Sequence, residues 1–303
     1  MKLEINENYP EPKLVAEIGC NHKGEFEIAK DMIETAKRFC DADVVKFQKR
    51  TPKELLTEEE YNNPHPVPRN SYGESYGKHR EYLEFDIEQH RELKEFCENL
   101  GITYSTSVWD MTSTKEVVDL NPEMIKIPSA NSTYWELLQY LCDNYEGDIH
   151  LSTGMTSRNE VEKIVDFFIN NERNEDLIIY HCTSGYPVPF EDTKMLEVAN
   201  LYSEYKDKVK SIGFSGHHKG IAIDVAAYTL GAEWVERHYT LDRTWKGTDH
   251  AASLEPNGVR KLKRNLLATY ESLNFRPEGL LEIEKPQAKK LRWDRQNLNI
   301  EAE

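Results

Sequence analysis

One unit recurs roughly eight times along the chain: a short β-branched run, a polar turn, then a segment whose apolar residues return at helical spacing. Strands read over 13–19, 43–48, 102–106, 123–128, 148–152, 176–182, 209–214 and 233–238. The clearest helical patterns lie at 26–39, 87–99, 157–170 and 219–231, and Ser157 with Glu160 three residues on reads as a capping box. Eight βα units in about 270 residues match the count and length of a closed parallel (β/α)8 TIM barrel, an α/β fold. An open doubly wound sheet shares the alternation, and a sequence does not show closure. Two stretches break the pattern. Residues 49–85 are too long for an ordinary βα loop, which marks them as a lid or binding loop. After residue 275 the chain turns charged and loses its alternation, so the expected organisation is a barrel domain over 1–275 and a charged tail over 276–303.

The length of 303 residues admits one large α/β domain or two small ones, and 38% hydrophobic with 10% aromatic residues suffices for a packed core. No apolar run approaches the roughly 20 residues of a membrane helix, and the start, MKLEINENYPEPK, lacks the apolar stretch of a signal peptide. The cytoplasm is the expected location. A net charge of −16 argues against nucleic acid as a partner, and it requires that lysines binding any anionic substrate be concentrated at the site. Five cysteines without CxxC spacing read as reduced, mostly buried thiols rather than a zinc site or disulfides.

In a closed parallel barrel the strand ends converge on one mouth, so polar residues there meet whatever their separation in sequence. They recur at that end here: Glu17, Lys46, Gln48, Thr106, Lys126, Ser129, Ser152, Thr183, Tyr186, Ser215, His217, Glu236 and His238. Singly each has an ordinary explanation, since a Ser or Thr caps helices, a Lys snorkels to solvent and a Glu forms salt bridges. The joint pattern favours function. His217 and His238 close successive strands and can share a divalent ion while leaving positions open for water and substrate. On spacing alone, two histidines hydrogen-bonded inside the barrel fit equally well. With no Cys beside them, Mn²⁺ or another first-row ion suits such a pair better than structural zinc. Lys46 and Lys126, with the hydroxyls of Thr106, Ser129, Ser152, Ser184 and Ser215, make a phosphate and carboxylate cradle.

The motifs AEIGCNHKG, VVKFQ, YGKHREYLEF, IKIPS, LSTGM, HCTSGYPVPFED, IGFSGHHKGIAID and GAEWVERHYTLDRTWKGTDHAASLEP stand in that order. Together they resemble the sialic acid synthase family over roughly residues 14–272, the last motif being similar to the branch that acts on N-acetylmannosamine 6-phosphate. The resemblance implies a TIM barrel that condenses phosphoenolpyruvate with an open-chain amino-sugar aldehyde, with Mn²⁺ (or Mg²⁺ or Co²⁺) as cofactor. It implies that Lys46, Thr106, Lys126, Ser129, Ser152, Ser184 and Ser215 hold phosphoenolpyruvate, and that His217 and His238 hold the metal. Glu17, Gln48, Tyr186 and Asp249 would then meet the acceptor or the reacting centre, with Glu17, Glu236 and Asp249 the candidate bases. Family members usually carry a C-terminal antifreeze-like domain that reaches across a dimer; none is expected in this chain, which leaves a homodimer an open expectation. Asn131 stands where the family commonly has an acidic residue after its Lys-x-x-Ser motif. The first alternative is a synthase for another 3-deoxy-2-keto sugar acid, of legionaminate, pseudaminate or deaminated type; a metal-dependent hydrolase, disfavoured because no HxH pair occurs, and a non-catalytic sugar-binding barrel come after it.

Overall fold

The computed structural model describes residues 9–294. Eight parallel strands form a closed barrel in sequence order: β1 Lys13–Gly19, β2 Val44–Lys49, β3 Thr103–Val108, β4 Met124–Ile127, β5 Asp148–Ser152, β6 Leu177–Cys182, β7 Ser211–Gly216 and β8 Trp234–His238. Closure is made by β1 on β8, with Glu17 opposite His238 and Val15 opposite Glu236. Each strand is followed by a helix of the outer ring, from Phe26–Arg38 after β1 to Pro256–Ser272 after β8. The chain is therefore a (β/α)8 TIM barrel.

Side chains alternate inward and outward along each strand. On β4, Ile125 and Ile127 turn outward to join Ile149, Leu151 and Ile179 and the helix residues Leu137, Leu141, Ile164 and Phe168 in one buried cluster. Lys126 lies between them and points the other way, into the barrel. At the N-terminal end of the barrel Val15, Val44, Met124 and Trp234 pack as an apolar floor, which leaves the C-terminal end for polar groups.

Helix Arg158–Asn170 starts where the sequence signal puts it. The Ser157 hydroxyl accepts from the Glu160 backbone N–H at 3.3 Å, and the Glu160 carboxylate accepts from the Ser157 N–H at 2.7 Å. Several boundaries differ from the sequence expectation, β7 for one lying at Ser211–Gly216 rather than 209–214. β3 runs on to Val108 because Ser107 and Val108 pair with Gln48 and Lys49. The helix expected over 219–231 shortens to Ala222–Thr229, between Gly220 and Gly231 at positive φ.

The long 49–85 insertion is built from the short helices Pro52–Leu55, Glu58–Asn62 and Tyr76–Tyr82. It is clamped at its ends by buried Arg50, whose Nε donates to Glu84 at 2.6 Å. None of the five cysteines is paired, and Cys40, Cys97 and Cys182 are buried. Residues up to Tyr270 form one compact unit and those from Glu271 a second. The second unit carries the helix Lys285–Leu291, a turn of order in what reads from sequence as tail. The first eight residues and 295–303 of the expected tail lie outside the described residues. No helix among the described residues is long and apolar enough to cross a membrane.

Candidate active site

At the C-terminal mouth is a cavity of about 410 Å³, lined by Glu17, Lys46, Gln48, Lys126, Ser129, Ser152, Ser184, Tyr186, Ser215, His217, Glu236 and His238, among others. A larger hollow of about 580 Å³ opens at the other end, beside Lys13, Lys37, Lys94 and Trp234. The mouth is the end where loops and strand termini of such barrels carry chemistry.

Four charges are packed at the base of the mouth, all nearly inaccessible. Lys46 forms an ion pair with Glu17 and lies 3.7 Å from Glu236. The second oxygen of Glu236 lies 3.4 Å from Lys126. Gln48 Nε2 donates to Glu17 at 2.9 Å, and the Ser215 hydroxyl donates to Glu236 at 3.1 Å. Burial alone would raise the Glu236 carboxyl, but Lys126 and Lys46 outweigh it and bring the group down to about 2. Burial alone would lower Lys46, yet Glu17 and Glu236 hold it above the ordinary lysine value. Lys126 has the opposite balance: burial, abetted by Lys46 and opposed by Glu236, brings it down to about 8. Two acidic and two basic side chains thus lie within reach of one another in one buried cluster. The Lys126 ammonium still makes no hydrogen bond, so its N–H groups are the ones available to an incoming anion.

Above this cluster stand the hydroxyls of Ser129, Ser152 and Ser184. Gly154 makes room for them, since a Cβ there would lie 2.6 Å from both Ser129 Oγ and Ser184 Oγ. The cradle therefore has a backbone edge and hydroxyl walls, with Lys126 as its cationic base.

His217 and His238 face each other across the rim with ring centroids 5.3 Å apart. His217 Nδ1 lies 3.1 Å from the Thr183 carbonyl oxygen, where only an N–H can donate, which leaves Nε2 as the bare nitrogen. Burial, with His238 adding to it, holds His217 down at about 3, so it is neutral at working pH. Buried His238 Nδ1 has no hydrogen-bond partner and is 4.0 Å from the Asp249 carboxylate. Among the described residues no group of three or more His, Cys, Asp or Glu is placed to hold an ion. The bare Nε2 of His217 and the His238 ring across the rim still fit a divalent cation that takes its other ligands from substrate and water. The Tyr186 ring, 4.3 Å from His217, walls this side.

Two of the residues expected at the site stand elsewhere, and a third, Asp249, borders it. Thr106 faces outward with its neighbours Phe47 and Tyr104, and Ser107 takes the place facing the cavity. The reason is register: β3 continues past 106, and the inward parity falls on Ser105 and Ser107. Asn131 does not line the cavity; its side-chain amide donates to the Trp109 carbonyl at 2.7 Å. Asp249 lies beside His238 but outside the cavity wall, held by the Thr248 hydroxyl at 2.8 Å. Trp109, whose indole N–H donates to Ser107 at 3.0 Å, and Met155 line the cavity without any sequence signal pointing to them.

This arrangement has close counterparts. The NeuB family model matches residues 32–276. N-acetylneuraminate-9-phosphate synthase of Mus musculus is 34% identical over 278 residues, covering 92% of this chain and 76% of the mouse protein. N,N'-diacetyllegionaminic acid synthase of Campylobacter jejuni is 30% identical, covering 94% and 83%. Among solved structures, the N-acetylneuraminic acid (sialic acid) synthetase of Leptospira borgpetersenii, in complex with citrate, superposes with a TM-score of 0.78 at 27% identity, covering 97% of this chain and 94% of that one. The chain belongs to the NeuB family and is a carbon–carbon bond-forming transferase of the sialic acid synthase type.

Proposed function

We propose that the mouth condenses phosphoenolpyruvate with the open-chain aldehyde of an N-acylated hexosamine, N-acetylmannosamine or its 6-phosphate, giving a nonulosonic acid and inorganic phosphate. The observation that carries this reading is the buried, hydrogen-bond-free Lys126 ammonium beneath a ring of hydroxyls, in a chain whose net charge of −16 otherwise repels anions. Lys126, Ser129, Ser152 and Ser184 bind the anionic groups of phosphoenolpyruvate, with Ser107 in the position read from sequence as Thr106's. Lys46 is engaged by Glu17 and Glu236 and contributes field and position. Tyr186 and Gln48 border the space left for the sugar.

A divalent ion, Mn²⁺ by preference, would be held by His217 and His238, and when bound it supplies Lewis-acid polarisation of the aldehyde oxygen. The methylene carbon of phosphoenolpyruvate then bonds to the aldehyde carbon, whose oxygen takes up a proton. Water adds to the enol carbon and gives its proton to a carboxylate. As the bond between that carbon and the bridging oxygen breaks, the new hydroxyl gives its proton to the departing phosphate, and a 2-keto-3-deoxy acid remains. Glu236, held near 2 between two lysines, is a weak base; Glu17, oriented by Gln48 and Lys46, is the base in this scheme. Fixing two substrates above rigid strand ends supplies much of the rate.

The test is phosphate release from phosphoenolpyruvate and Mn²⁺ across a panel of free and phosphorylated hexosamines. Release that requires an N-acylmannosamine, and that falls at least about a hundredfold in Lys126→Ala and His217→Ala, supports the reading. Folded variants with full activity would remove it.

A further inference from the structure

Beneath the cradle lies a polar pair that the reaction scheme leaves unused. Tyr180 on β6 is fully buried in the barrel, and the Lys126 ammonium sits over its ring, 3.2 Å from the centroid. The Tyr180 hydroxyl is 2.7 Å from His150 Nδ1, and His150 on β5 is set edge-on against Trp234 on β8, with centroids 4.7 Å apart. On β7 the residue paired with Tyr180 is Gly213, where a Cβ would lie 2.6 Å from the ring, so only glycine lets the ring lie flat there. Four successive strands thus hold one aromatic face under one ammonium.

An ammonium so deep normally takes hydrogen-bond acceptors, and Lys126 has none; its nearest carboxylate oxygen is Glu236's, at 3.4 Å. A ring face attracts a cation without consuming N–H groups, and it does so most strongly where water is excluded. We propose that Tyr180, fixed by His150 and given space by Gly213, is the positioning residue for Lys126, presenting the ammonium with its N–H groups free to the anionic substrate. This rests on the reading of Lys126 as a phosphoenolpyruvate ligand.

The experiment compares Tyr180→Phe, which keeps the face, with Tyr180→Met, which keeps apolar bulk and removes it, in the Mn²⁺-loaded enzyme. Tyr180→Phe is expected within about threefold of wild type in every constant, while Tyr180→Met raises KM for phosphoenolpyruvate about tenfold and leaves KM for the sugar within about twofold. A parallel rise in both KM values, or no rise in a folded Tyr180→Met, overturns the inference. Should Tyr180→Met fail to fold, Tyr180→Leu decides, since it is likewise apolar and offers the Lys126 ammonium no ring face. A rise of a few-fold in KM for phosphoenolpyruvate alone supports the proposal there, and an unchanged value overturns it. Wild-type protein that does not consume phosphoenolpyruvate with any sugar refutes the underlying reading instead.

Discussion

Glu236 is the residue on which the site's electrostatics turn. It touches Lys46, Lys126 and Ser215 at once, so removing its charge would strand the buried Lys126 ammonium and leave Lys46 with Glu17 alone. A carboxylate in that setting is a counter-ion before it is a base. Gly154 shows how little separates a cradle from a plug. In Gly154→Ala the new methyl would meet the Ser129 and Ser184 hydroxyls, which can rotate away, and Ser129 Cβ at 3.1 Å, which has to give by a few tenths of an ångström. KM for phosphoenolpyruvate is therefore expected to rise about tenfold with the thermal midpoint nearly unchanged, and steady-state kinetics beside a melting curve checks both. A variant with normal KM would place the phosphate elsewhere.

Among the elements, helix Arg158–Asn170 is the one whose start is written most plainly, by Ser157 and Glu160. Ser157→Ala removes the hydroxyl that accepts from the Glu160 N–H and should cost about 1 kcal/mol, a fall of a few degrees in thermal midpoint, with kcat unchanged. Strand existence was equally legible, because buried parallel strands are β-branched runs bounded by polar turns. Parity was not. In β3 the run TYSTSV offers hydroxyls on both faces, so the choice between Thr106 and Ser107 hung on a register set by the pairing of Gln48 with Ser107. Tyr180 and His150 are illegible for a related reason: within YHC and IHL nothing marks which residue turns inward, and interior polar pairs carry no spacing signal. Asn131 was singled out by a motif, yet its amide is committed to the Trp109 backbone.

At the scale of the molecule, closure does what no local pattern could. It brings Glu17 and His238, at opposite ends of the barrel sequence, into direct register. The shell pays for its density with buried neutral histidines: His22, His90 and His217 are each held at about 3, chiefly by burial. Their unfolded counterparts titrate near 6.5, so between that pH and about 3 the unfolded chain binds more protons than the folded one. Stability is then complete above pH 6.5 and falls as pH drops, each histidine contributing about 1.4 kcal/mol per pH unit inside the window. The metal-free protein should lose about 10 °C or more in thermal midpoint between pH 7 and pH 5, well above the range where ordinary carboxylates titrate. A flat midpoint there would mean that these rings are hydrated or charged in the folded state.

The central claim is that this mouth joins two substrates and expels phosphate by cleavage on the carbon side of the bridging oxygen. Phosphoenolpyruvate carrying the heavy isotope of oxygen at that bridge tests it directly. With Mn²⁺ and an N-acylmannosamine, the account predicts that the label leaves entirely in inorganic phosphate, and that none is released without the sugar. Label retained in the keto acid, or phosphate set free by phosphoenolpyruvate alone, would contradict it.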